Sequence, residues 1–231
     1  MNEVSIYLNN HSYYSLRYGT MAVERLVEEA ARLGIEALAL TDINNAMGMV
    51  DFVKACRAKG IRSIAGIEYR NGDRFLYAGI ARNPNGFREL NEFLSYHNET
   101  GLPLPDRAPP LDDVWFIYDF RENPWEGKQR GKRTKMREQE LIGVRPGEVN
   151  KILTSQWSSD WSRLVVRHPV TFLDERDHAL HRPLTAIDHN SLLRQLKPGH
   201  LAEKSDILLS PDLLHCAYDD CPDIRRNSER V

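Results

Sequence analysis

Cysteine is scarce: three among 231 residues, Cys56, Cys216 and Cys221, without CxxC spacing. The odd count argues against a disulfide scaffold and the spacing excludes a zinc ribbon, so the cytoplasm is the expected compartment. Long hydrophobic runs are missing as well. None approaches the roughly 20 apolar residues of a membrane span, and "MNEVSIYLNN" lacks a basic start followed by an apolar stretch. A soluble, non-exported protein with no membrane partner is expected. Neither sign of charge dominates, with 31 Lys and Arg against 33 Asp and Glu, so nothing global marks a nucleic-acid or membrane-surface binder. No GxxxxGK[ST], and no GxGxxG after a strand, offers a loop to cradle phosphate. Ser12 and Ser15 lie near His11, but no G-x-S-x-G elbow encloses either serine, which speaks against a serine hydrolase.

What is present fits one domain with a sizeable core. "VSIYLN" reads as a strand. Thr20 is then expected to cap a helix carrying Val23, Leu26, Val27, Ala30 and Ala31 at helical spacing, with Gly34 as its stop. "IEALALT" is a near-continuous apolar strand of the kind buried on both faces of a parallel sheet. Asn44 or Asn45 is placed to cap a second helix, striped by Met49, Phe52, Val53 and Cys56 and ended by Gly60. "IRSIAGIEYR" is the third strand, and "RFLYAGIAR" a fourth, paired with it through a turn at Asn71-Gly72. A helix from Gly86 to about Tyr96 and a proline-rich loop follow. Then come the strands "VWFIYDF", "LIGVR" and "RLVVRHPV", and the helix "DERDHALHRPLTAI". About seven strands mostly separated by helices favour an α/β barrel over an open doubly wound sheet.

In such a barrel, function gathers where strands deliver side chains at their C-terminal ends. Those ends carry Asn9 and His11, then Asp42, then Glu68. Each has a plain structural role open to it: a turn for His11, a cap or turn for Asp42, an ion pair with Arg62 or Arg70 for Glu68. Together, on three consecutive strand ends, His11, Asp42 and Glu68 are a donor set for a single zinc or manganese ion. A second feature is the charged stretch 121–137, which carries Lys128, Arg130, Lys132, Arg133, Lys135 and Arg137 beside Trp125. It is read first as a solvated, flexible loop and second as a DNA contact.

Taken in order, "NNHSYYSLRYGT", "LALTDINNAMGMVDFVKACRAKGI" and "IAGIEYR" resemble the PHP (polymerase and histidinol phosphatase) domain. The form they resemble opens the alpha subunit of bacterial DNA polymerase III. "ARNPNGFRELNEFLS" is similar to the family's segment after the fourth strand, and "FLDERDHALHRPLTAI" to its late helix, with Asp177 and His181 in register. "LLSPDLLHCAYDDCPDIRRNSERV" resembles the stretch leading towards the polymerase core. The resemblance spans nearly the whole chain apart from 121–137.

The resemblance implies a distorted seven-stranded (β/α) barrel with a helical C-terminal tail. It divides the chain into a PHP domain over 1–190, with an insertion at 121–137, and a tail over 191–231. Active members hydrolyse phosphoesters with a cluster of three metal ions at the rim. Carried over one by one, the opening His-x-His falls on Asn9 and His11, and an acidic ligand on Tyr18. The Asp-His after the second strand becomes Asp42 and Ile43, and the next glutamate is Glu68. A later histidine falls near Phe75 or Leu76, and the closing Asp-x-His on Pro169 and Thr171, beside His168. No catalytic residue and no cofactor is therefore expected, although His11, Asp42 and Glu68, with the Asn9 amide oxygen, leave room for one divalent ion (Zn, Mn or Mg).

By this resemblance the chain is an N-terminal piece of a replicative polymerase, a DNA-directed nucleotidyltransferase, whose catalytic core lies outside it. Its implied work is structural, with the rest of the alpha subunit, the proofreading exonuclease subunit and, in the holoenzyme, DNA as partners. The alternative is a metal-dependent phosphoesterase or 3'-5' exonuclease keeping one ion. Segment 191–231 is expected to be mobile or poorly packed.

Overall fold

Apolar runs too short to make anything but strands, each followed by a helix with its own stop signal, dictate the first half of the fold. The computed structural model describes residues 6–125 and 135–231. Lys128, Arg130, Lys132 and Arg133 fall outside that range. The chain begins β1 (Ile6–Tyr7), β2 (Asn9–Asn10), α1 (Val23–Arg32), β3 (Ala37–Leu40), α2 (Met49–Lys59) and β4 (Arg62–Asn71). It continues with β5 (Arg74–Ala81), α3 (Pro84–Thr100), β6 (Val114–Asp119), β7 (Glu140–Val144) and β8 (Leu164–Val166). β9 (Pro169–Val170), α4 (Glu175–Asp188), α5 (Pro211–Cys216) and α6 (Pro222–Ser228) complete it.

Seven strands form one sheet in the order β1-β3-β4-β5-β6-β7-β8. All neighbours are parallel except β5, which runs antiparallel to β4 and β6. The β4–β5 hairpin turns where expected, with Gly72 at φ +58°, a conformation glycine adopts without strain. A second, two-residue ladder pairs Asn9 with Pro169 and Asn10 with Val170. Because β2 prolongs β1 and β9 follows β8, this ladder ties the first strand to the last at one end. The sheet thus curls into a half-barrel, in line with the distorted seven-stranded barrel that the resemblance implies.

Both sheet faces are buried. On one, Ile6, Leu8, Ala37, Ala39, Ile64, Ile80, Ile117, Leu141 and Val165 form a cluster to which no helix residue belongs, so this is the face the curl closes upon. The alternate residues, among them Tyr7, Leu38, Leu40 and Ile67, pack with α1, α2 and α3, as the period of two along a strand requires.

The structure corrects several local expectations. α1 is preceded by Ala22 with no side-chain cap; the Thr20 hydroxyl reaches the Thr171 carbonyl instead. α2 starts after Gly48, also uncapped, because both asparagines serve the turn before it. Asn44 exchanges two hydrogen bonds with the Arg70 backbone, and the Asn45 oxygen accepts from Met47 N–H. α3 begins at Pro84 and is capped by Asn83. Val53 lies on the exposed side of α2 rather than in its buried stripe.

The tail is not poorly packed. Leu208, Leu214, Tyr218, Cys221 and Ile224 are buried in the main core, and the Tyr218 hydroxyl donates to the Val144 carbonyl at 2.6 Å. The physical reason lies at the sheet edge. β8 has no further strand in its own sheet, and α6 supplies partners instead. Val166 N–H donates to Ser228 Oγ at 2.8 Å, and Asn227 Nδ2 donates to the Leu164 carbonyl at 2.9 Å. An exposed edge is thereby closed.

Candidate functional site

β2, the loop after β3 and the end of β4 bring Asn9, His11, Asp42 and Glu68 to one rim, all of them buried. The expected trio nevertheless splits into two parts. His11 and Glu68 meet, with Nε2 3.0 Å from Oε2. Asp42 is turned to the loop that follows β2. Its Oδ1 accepts from Ser12 N–H and Ser15 Oγ and its Oδ2 from Ser12 Oγ, each at 2.7 Å. The loop can fold this tightly because Gly19 passes beside Ser12; a Cβ there would lie 1.8 Å from the Ser12 carbonyl oxygen.

Glu68 is the most heavily engaged group. Oε2 also accepts from Asn9 Nδ2 at 2.7 Å, and Oε1 accepts from Arg70 Nε at 2.5 Å. Burial alone would raise this carboxyl, but the Arg70 charge, followed by His11, outweighs it and holds the group well below the ordinary range. An ionised Glu68 offers only acceptors, so His11 carries its proton on Nε2. Its Nδ1 lies 3.1 Å from Thr171 Oγ1. The Asn9 amide obeys the same demand: its nitrogen faces Glu68 and Thr41, while its oxygen has no partner. Of the two arginines considered for Glu68, Arg70 makes the pair, two residues along the same strand.

Tyr18 closes this group. Arg70 lies over its ring at 4.5 Å from the centroid, and His11 and His181 meet it edge-on at 5.6 and 4.7 Å. His181 is fixed as a neutral ring. Nδ1 donates to the Tyr18 carbonyl at 2.7 Å, and Nε2 accepts from Ala202 N–H at 3.0 Å. Burial holds its pKa down at about 4. Ile43 pairs its backbone with Glu68 through an isolated bridge. Pro169 sits in the ladder with Asn9. Thr171 steadies His11, a role its place in the sequence did not suggest. His168 hydrogen-bonds the Ile207 carbonyl at 2.7 Å.

A cleft of about 1040 Å³ opens over this rim, lined by His11, Tyr18, Glu68, Arg70, Arg167 and His168 among others. Several charges on its walls are paired. Arg167 reaches Asp119 at 2.7 Å and stacks on Phe75, Arg121 reaches Glu148 at 2.6 Å, and Arg145 contacts Asp206. Burial pushes the Asp206 carboxyl up to about 6 against the pull of Arg145. None of these pairs was legible from motif spacing. Each partner comes from a different part of the chain, so only the folded register joins them.

Of the basic stretch, Lys135 is exposed and Arg137 is turned inward. Its guanidinium donates to the Ala108 carbonyl at 2.8 Å and approaches Glu140 at 3.6 Å. Trp125 packs edge-on against Tyr118 at 4.9 Å, so its ring is not a free platform for a base.

A curled seven-stranded α/β sheet with histidine and carboxylates at its strand ends defines a class, and sequence comparison agrees on which. The PHP domain family matches residues 8–165, and the chain belongs to that family. More particular relatives are polymerase subunits. DNA polymerase III subunit alpha of Treponema pallidum is 38% identical over 99 residues, covering 37% of this chain and 8% of that protein. The Escherichia coli K12 subunit is 32% identical over 118 residues, covering 48% and 10%. The matched part is thus no more than a tenth of either relative's length. Among solved structures, a Bacteroides vulgatus two-domain protein containing a predicted PHP-like metal-dependent phosphoesterase aligns with a TM-score of 0.38. It is 13% identical, over 65% of this chain and 48% of that one.

Proposed function

We propose that this chain is the PHP domain from the N-terminal part of a bacterial DNA polymerase III alpha subunit. In this reading it serves DNA replication in the cytoplasm by packing and docking rather than by hydrolysis. The observation that carries the reading is the state of Glu68. Both carboxylate oxygens are taken by protein donors, with the Arg70 guanidinium standing as the compensating cation. The other retained carboxylate, Asp42, is filled by Ser12 and Ser15.

This donor set does not fit the metal cluster that the family implies. Harder ions require free carboxylate oxygens and zinc an imidazole lone pair. Here the buried Glu68 oxygens are held by Asn9, His11 and the Arg70 cation, and the Asp42 oxygens by Ser12 and Ser15. The rim therefore works as a buried, neutralised network that holds β2, β3, β4 and β9 in register. Polymerisation would belong to residues outside this sequence. The partners in this reading are the rest of the alpha subunit and the proofreading exonuclease subunit, with DNA reached within the holoenzyme. Of the basic stretch, Arg137 is already committed to Ala108 and Glu140.

The test combines hydrolysis and docking. With Mn, Zn or Mg added, hydrolysis of a model phosphodiester and of a 3'-mismatched oligonucleotide should stay at the level of His11→Ala, and metal content should not respond to that substitution. Co-elution with the cognate exonuclease subunit on size exclusion is the expected positive result. Turnover that His11→Ala abolishes would overturn the reading in favour of a one-ion phosphoesterase.

A further inference from the structure

Three residues that the rim does not use meet at the mouth of the cleft. Asp73 stands in the turn between β4 and β5, His189 directly follows α4, and His200 ends the short 3-10 turn Pro198–His200. His189 Nε2 lies 3.2 Å from Asp73 Oδ1, and His200 Nε2 lies 4.0 Å from Oδ2. The two imidazoles stack, 4.1 Å apart and 9° from parallel. One donor atom from each of the three lies within 4.8 Å of the other two, and among the described residues no other trio of His, Cys, Asp or Glu does so.

We propose that Asp73, His189 and His200 form a binding site for a first-row transition ion, zinc above all, separate from the strand-end rim. The donor chemistry selects the metal. Two imidazole nitrogens and one carboxylate suit zinc, cobalt or nickel, whereas magnesium and calcium prefer oxygen alone. Access and support are both present. The histidine side chains are 23% and 24% exposed and that of Asp73 is 42% exposed, so an ion reaches the donors while their stems stay packed.

The stacked rings define what binding must do. A metal ion sits in the plane of an imidazole, on the nitrogen lone pair, and parallel planes share no such point. Both rings must tilt out of the stack as the ion enters. That is a rotation of half-buried side chains. Three protein ligands leave a fourth position for water, the pattern of an open zinc site. Asp73, Pro198 and Gly199 all line the cleft, so that position lies at its mouth. An ion held here would also join the β4–β5 turn to the tail beyond residue 190, fixing one wall of the cleft.

The experiment uses the whole chain, dialysed free of metal and titrated with zinc chloride by calorimetry, with cobalt(II) as a spectroscopic stand-in. One equivalent of zinc is expected to bind saturably. At a hundredfold excess over Kd, the melting temperature should rise by roughly 5–10 °C. Cobalt should show the intense visible absorption of a four-coordinate site. Asp73→Asn and the double variant His189→Gln/His200→Gln should lose both responses, and His11→Gln should keep them. Zinc should also shield His189 and His200 of the unaltered protein from diethyl pyrocarbonate, read by peptide mass spectrometry, so the result does not depend on any variant folding. The proposal is overturned by a calorimetric titration of the metal-free chain that shows no saturable zinc binding. It is equally overturned by binding that survives Asp73→Asn and disappears in His11→Gln, which would place the ion at the rim and count against the structural reading of the rim as well.

Discussion

Glu68 shows how one buried charge sets the behaviour of its neighbours. With no exposure of its own, it dictates the orientation of the Asn9 amide, the tautomer of His11 and the rotamer of Arg70. Removing the cation and leaving the anion is the costly change. Arg70→Met is expected to destabilise the fold by about 3–5 kcal/mol, the range for a buried pair that loses one partner. Glu68→Gln/Arg70→Met together should recover most of it. Urea unfolding of both proteins checks this, and a loss below about 1 kcal/mol in the single variant would mean that the Arg70 guanidinium is not what balances Glu68. His181 gives a second prediction, in pH. Its folded pKa, about 4, lies below its unfolded value, so between pH 6.5 and 4 the unfolded chain binds the extra proton and stability falls with acidity. The contribution is present in full above pH 6.5 and lost by about pH 4, at most about 3 kcal/mol. Asp206, pushed up, acts in the opposite sense over part of that window. His181→Gln keeps a donor for the Tyr18 carbonyl and an acceptor for Ala202 N–H, and so removes only the titration. Its stability curve should be flatter than that of the parent between pH 6.5 and 4, and identical curves would refute the assignment.

Among the elements, the loop from Ser12 to Gly19 is tightly constrained. Gly19→Ala would drive a methyl group into the Ser12 carbonyl at 1.8 Å and pull both serines from Asp42, whereas Gly147→Ala meets nothing within 4 Å. The first should cost about 2–3 kcal/mol and the second less than about 0.5 kcal/mol. In a chain of this length thermal melts separate them by several degrees. How far such elements can be read in advance follows from their causes. β3, β4 and α1 announce themselves because apolar spacing and the stops Gly34 and Gly60 are local signals. β2 and β9, two residues each, carry no such signal; a ladder between Asn9–Asn10 and Pro169–Val170 exists only once the sheet has curled. The same holds for the charges. His11 and Glu68 at strand ends could be read as neighbours, but the capture of Asp42 by Ser12 and Ser15 depends on a loop path. Asp73, His189 and His200 lie more than a hundred residues apart at the extremes and share no motif.

For the molecule as a whole, the question is whether the tail is an appendage or part of the folding unit. Segment 191–231 contributes Leu208, Leu214, Tyr218 and Ile224 to the same core that α1 and α2 cover. It also closes the β8 edge through Asn227 and Ser228. A boundary at residue 190, natural from family resemblance alone, would cut through that core. We therefore expect the chain to unfold in one transition, with far-ultraviolet circular dichroism and tryptophan fluorescence coinciding, since Trp157 and Trp161 pack against the cluster that includes the tail and Trp115 against the other. Truncation after residue 207 removes α5 and α6, exposes Leu164 and Val166 along β8, and leaves the Val144 carbonyl without its tyrosine donor. That loss is comparable with the 5–15 kcal/mol by which a domain is typically stable, because burying even one large side chain contributes about 1.5–3 kcal/mol and several go at once. The truncated chain should lack a cooperative melt. If it melts as the full chain does, the tail is an appendage after all, and the unit that carries the cleft ends before it.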